Sequence, residues 1–179
     1  MFQGEIPGPL SSDKVSNSYG ERSFSNHISD LIPIRTSGGT VRIIDSTIFP
    51  AASTIAVAIV EVEPGGLREM HWHPNTDEWQ YYLEGTARMT VFASEHNART
   101  FDFSPGDVGV VPFAYGHYIE NTSADVPMRF LEVFKSTQFQ DVSLNQWMAL
   151  TPPELVKQHL NLSYKVMNSL RKEKWPVVK

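Results

Sequence analysis

An all-β sandwich or barrel of the jelly-roll kind, followed by helices, is what this 179-residue sequence predicts. Nine short runs rich in β-branched and aromatic residues follow one another at a regular interval. Turn signals separate them: Pro64-Gly65-Gly66, Glu84-Gly85, Ser104-Pro105-Gly106-Asp107 and Thr122-Ser123-Ala124-Asp125. After Phe134 the pattern changes character and helix-start chemistry appears.

Taken in order, residues 1–30 are rich in Gly, Pro, Ser and Asn and read as an extended N-terminal arm. Residues 31–179 form one domain with a C-terminal helical segment, and its strands are expected at 41–44, 54–62, 69–73, 78–83, 87–93, 99–103, 108–111, 117–121 and 128–134. Thr151-Pro152-Pro153-Glu154 opens a helix, with Thr151 as N-cap, proline at the first helical position and Glu154 placed for a capping box. A second helix is expected over 164–172, with Pro176 ending the pattern.

Bulk composition excludes several function classes. A net charge of −5, with no lysine and arginine cluster outside Arg171-Lys172-Glu173-Lys174, argues against nucleic acid and anionic membranes as partners. That basic run reads as a solvated helix end. No cysteine is present, so disulfides and thiolate chemistry are ruled out. No apolar run approaches the roughly 18 residues of a membrane span, and residues 1–12 lack a signal-like stretch, so the expected location is cytoplasmic.

His71, His73, Glu78 and His117 carry the chemistry. Alternate residues of a strand share a face, so His71 and His73 project together, roughly 6.5 Å apart along the strand. The turn Pro74-Asn75-Thr76-Asp77 lets the chain reverse and bring the Glu78 carboxylate back to the same point. His117, after the turn-rich 112–116, opens another strand and supplies the fourth ligand. Three neutral nitrogens and one carboxylate, without thiolate, suit manganese, iron or zinc with positions left for water or substrate. His27, His96 and His159 are read as structural. Trp72, between two ligands and on the opposite face, fits packing of a sheet or a subunit interface.

These two motifs resemble those of the cupin superfamily. Residues 67–92 (LREMHWHPNTDEWQYYLEGTARMTVF), 106–121 (GDVGVVPFAYGHYIEN) and 141–155 (DVSLNQWMALTPPEL) resemble the C-terminal cupin domain of bicupin oxalate decarboxylases, as does the closing 172–179. Ala114 stands where the general cupin pattern has glycine. Residues 2–10 look like the linker between two such domains, so the chain reads as a single-cupin relative or as half of a bicupin.

The resemblance implies a cupin double-stranded β-helix, Mn2+ rather than Fe2+ or Zn2+ on the four ligands, oxalate as the dicarboxylate substrate, and a homo-oligomer in which the arm lies along a neighbour. The implied reaction gives formate and carbon dioxide; the alternatives are an oxalate oxidase releasing hydrogen peroxide, an iron-dependent dioxygenase, or a metal-binding cupin of weak or no activity. Arg68 matches the arginine that holds the substrate carboxylate. Its odd spacing from His71 requires a bulge or twist within 68–70, or else Arg68 is a surface residue. Glu132 matches a glutamate near the metal and is expected either to transfer protons or to pair with Arg88 or Arg129. The stretch that matches the family's lid, residues 135–143, contains no glutamate; Asp141 is a substitute acid or a helix cap.

Overall fold

The computed structural model describes residues 24–179. All nine expected strands are present: β2 (Gly39–Ile44), β3 (Ala56–Val62), β4 (Leu67–Trp72), β5 (Glu78–Glu84), β6 (Ala87–Ser94), β7 (Asn97–Phe103), β8 (Val108–Val111), β9 (Gly116–Asn121) and β10 (Met128–Phe134). Three short ones join them, β1 (Ile34–Thr36), β11 (Val142–Ser143) and β12 (Val177–Val178). One sheet runs β1-β2-β3-β10-β5-β8; the other runs β11-β4-β9-β6-β7, with β12 also on β4. Every pairing is antiparallel, and the two sheets close a jelly-roll barrel.

Alternation builds the core. Ala56, Ala58, Val60 and Val62 of β3 face inward, opposite Met128, Phe130 and Phe134 of β10. Tyr82, Met89 and Ile119 form one cluster with Ala58, Val60, Val62, Met128 and Phe130. Each large apolar side chain removed from water here contributes about 1.5–3 kcal/mol.

The helical segment differs from expectation, for local reasons. Helix α1 (Leu144–Leu150) starts one residue after Ser143, whose hydroxyl accepts from the Gln146 amide, so Ser143 is the cap and Asp141 is not. Thr151 ends α1 instead of starting the next helix, and its hydroxyl donates to the Trp147 carbonyl. α2 (Pro153–Leu160) begins behind Pro152 without a side-chain cap. α3 is only Tyr164–Met167, since the chain turns at Asn168 and reaches β12 through further bends. The basic run is no solvated helix end either: Arg171 stacks on Trp175, and Lys174 turns inward.

Of the arm, the described part holds a single 3-10 turn, Ile28–Asp30, and residues 1–23 fall outside the described residues. No helix of the described residues is long and apolar enough to cross a membrane.

Candidate metal centre

β4 and β9 lie side by side with His71 opposite His117, which brings their rings to 4.1 Å between centroids. His73 lies one residue beyond the end of β4, and Glu78 is the first residue of β5. Two turns that meet each other hold these ends in place. Asp77 accepts from the Phe113 amide at 2.6 Å, and the Ala114 amide donates to the His73 carbonyl at 3.1 Å. Ala114 itself is left-handed, with φ of 63°, a conformation that favours glycine.

Each imidazole is fixed from behind. The Nδ1–H groups of His71, His73 and His117 donate to the carbonyls of Glu69 (2.7 Å), Gln140 (2.8 Å) and Tyr115 (3.1 Å). A ring that donates through Nδ1 turns its Nε2 to the interior, where the neutral form offers a lone pair. All three Nε2 atoms and Glu78 Oε2 are buried without a hydrogen-bond partner. These four ligand atoms lie within 4.8 Å of one another, with Glu78 Oε2 at 3.1 Å from His73 Nε2 and 2.9 Å from His117 Nε2. Buried acceptors left unpaired cost about 1–3 kcal/mol each, and more when charged, so four converging lone pairs fit a cation between them.

Ionisation agrees with that reading. Burial first, with the Arg68 charge adding to it, pushes the His71 pKa well below its ordinary value, which keeps the ring neutral and able to ligate. Burial would raise the Glu78 carboxyl, but positive charge among the facing imidazoles outweighs it and holds the group low, an effect a cation among neutral rings would share. The donor set is that expected from the sequence for manganese, iron or zinc.

Behind the ligands lies a charged cluster. The β4–β9 register slips between Arg68 and His71, and this bulge turns Arg68 inward, where it is 0% exposed. Of the readings open from its odd spacing, the inward one holds. Arg68 Nε donates to Glu132 Oε1 at 3.1 Å, Nη1 to the Pro176 carbonyl at 3.2 Å, and Nη2 to Asp141 Oδ2 at 2.7 Å. Glu132 thus pairs with Arg68, not with Arg88 or Arg129, which are taken by Asp102 and Glu84. Its Oε2 has no partner, and burial pushes its pKa up, an effect Arg68 opposes and the Glu78 charge reinforces. Lys174 bonds Asp141 from the other side.

The stretch 135–143 runs across this cluster. Beyond Gln140 and Asp141, Asn75 donates to the Ser136 hydroxyl and the Gln138 carbonyl, and the Phe139 ring lies 5.8 Å from that of His73. Trp72 points outward and meets Trp147 of α1 edge-on at 5.7 Å. Gln80 and Tyr82 went unnoticed in the sequence, yet both are buried beside the ligands: the Gln80 amide donates to Glu78 Oε1, and the Tyr82 hydroxyl donates to Gln80 Oε1. Their signal was the even spacing that puts residues 78, 80 and 82 on one face of β5.

Comparison with known proteins follows the same lines. The family model described as Cupin matches residues 29–168. The chain is 52% identical over its whole length to oxalate decarboxylase OxdC of Bacillus subtilis, of which it covers 47%. It is 46% identical to an oxalate decarboxylase of Arthroderma benhamiae, over 89% of this chain and 38% of that protein. A solved structure of the Bacillus subtilis oxalate decarboxylase, concerned with its Mn(II) centres, superposes with a TM-score of 0.92 over 99% of this chain and 48% of the other. The chain therefore spans about half the length of the relatives it matches or less.

Proposed function

The chain belongs to the cupin family, and from that premise we propose that it holds one Mn2+ on His71, His73, Glu78 and His117 and cleaves oxalate to formate and carbon dioxide. The observation that carries the metal is the convergence of four buried lone pairs with no protein partner. What supports oxalate is the naming of the relatives as oxalate decarboxylases across 89–100% of this chain.

When bound, the ion supplies Lewis-acid and one-electron chemistry to the substrate carboxylate. The protein's own residues do the rest. Arg68 has three of its N–H groups committed, out of the five a guanidinium carries, so two remain for the distal carboxylate of the substrate. Glu132 holds one oxygen on Arg68 and keeps the other free, and its raised pKa favours the acid form needed to protonate carbon. For the oxalate monoanion the balance is simple: the carbon–carbon bond breaks, one half leaves as carbon dioxide, and the other gains a proton at carbon as formate.

One observation favours the oxidase as second reading. The only acid in 135–143 is Asp141, and Arg68 and Lys174 both engage it. If protonation at carbon is slow, oxygen takes the two electrons, and with two protons the products are two carbon dioxide and one hydrogen peroxide. Incubating the Mn-loaded chain with oxalate and measuring both products tests the proposal. Formate in a one-to-one ratio with carbon dioxide is expected. Peroxide without formate establishes the oxidase, and neither product establishes a metal-binding module.

A further inference from the structure

Glu78 is a ligand whose two oxygens do different work. Oε2 faces the histidine nitrogens, while Oε1 accepts from Gln80 Nε2 at 2.8 Å. A glutamine amide beside a carboxylate can sit either way round, and only one way is favourable. Here the choice is made from behind. The Tyr82 hydroxyl stands 2.7 Å from Gln80 Oε1, and a phenol that donates there requires the NH2 group to point at Glu78.

Tyr82 is itself immobilised, stacked on Phe103 with ring centroids 4.4 Å apart and on Phe130 at 5.4 Å. Burial and the charges of Glu78 and Glu132 raise its pKa, so it remains a donor. The facing strand makes room: Gln80 lies opposite Gly109 of β8, where an added Cβ would stand 2.8 Å from Gln80 Oε1. Gln80 is 0% exposed and Tyr82 1%, so no water competes for these bonds.

We propose that the buried Tyr82–Gln80 relay, seated against Gly109, positions Glu78 so that it offers the ion one oxygen and withholds the other. A carboxylate limited to one oxygen leaves the ion one more position than a two-oxygen ligand would. That position suits a substrate binding through two of its own oxygens, as a small dicarboxylate does. The inference rests on the metal-centre reading above and makes Gln80 and Tyr82 positioning residues, not catalytic ones.

The test uses Mn2+ alone, added to the metal-free full chain as parent, Tyr82→Phe, Gln80→Met and Gly109→Ala, with binding and the Mn(II) magnetic-resonance fine structure recorded. Partners that orient a ligand typically change metal affinity by about 10–100-fold. All three variants are expected to bind about that much more weakly and to share an altered fine structure. Should Gln80→Met not fold, Tyr82→Phe, which deletes one oxygen from a retained ring, decides alone. Folded Tyr82→Phe with the parent's affinity and spectrum overturns the relay. A parent that takes up no Mn2+ overturns both the relay and the function proposed above. Oxalate added to the Mn-loaded parent forms a separate arm: no spectral change overturns the dicarboxylate substrate, whatever the variants show.

Discussion

Glu132 and Arg68 pair at 3.1 Å with both side chains fully buried, so each fixes the other's aim. Because burial raises the Glu132 pKa and the donor must be in its acid form, turnover is expected to fall as pH rises through that pKa, above the range of an ordinary glutamate. Glu132→Gln should lower kcat by about 10²–10⁴-fold and leave Mn2+ binding nearly unchanged. A pH–rate profile of both proteins checks this, and a variant with parental kcat removes Glu132 from proton transfer. Arg68→Lys keeps the charge but loses the fork, and should lower kcat/KM for oxalate by about 10–100-fold, the worth of a hydrogen bond to a charged group. At this scale the convergence of His71, His73 and Glu78 was legible from strand alternation and the turn at 74–77, and His117 from the second turn-rich stretch before it. The partner of Glu132 was not. The odd spacing left Arg68 open between a bulge and a surface position, and only the pairing of β4 with β9 decides for the bulge and so for Glu132.

At the scale of elements, the two loops that carry His73 and His117 depend on backbone geometry. Ala114 occupies a left-handed conformation that costs a β-branched residue more, so Ala114→Val should lower stability by about 1–2 kcal/mol in denaturant unfolding, while Ala114→Gly should not lower it. Ser143 serves two elements at once, capping α1 and donating to the buried Glu69 Oε2 at 2.5 Å. Ser143→Ala should therefore cost more than the roughly 1 kcal/mol of an ordinary cap. β3, β5, β6, β8, β9 and β10 were readable because each alternates inward and outward over four or more residues. β2 and β7 do not alternate and were readable from β-branched and aromatic residues between turns. β1, β11 and β12, at two or three residues, have no period to detect. The helices misled because Thr151 before two prolines has N-cap chemistry, whereas its hydroxyl is already spent on the preceding turn at Trp147.

For the molecule as a whole, an ion bound only by the folded chain must stabilise it. Mn2+ at about 100 times its dissociation constant should add about 2.7 kcal/mol, seen as a melting temperature that climbs with metal and drops on chelation. The outer face of β5 and β8 leaves Trp79, Tyr81, Leu83, Val108 and Val110 exposed, and from this apolar face we propose the homo-oligomer expected from the sequence. Sedimentation of the full chain should show more than a monomer at micromolar concentration, and a strict monomer contradicts that proposal. The most direct test of the central claim is the stoichiometry of Mn2+ on the metal-free chain, parent beside Glu78→Ala. One tightly held ion per chain in the parent, lost in the variant while the fold persists, is the predicted result. An ion bound equally well without the Glu78 carboxylate, or none bound by the parent, would contradict it.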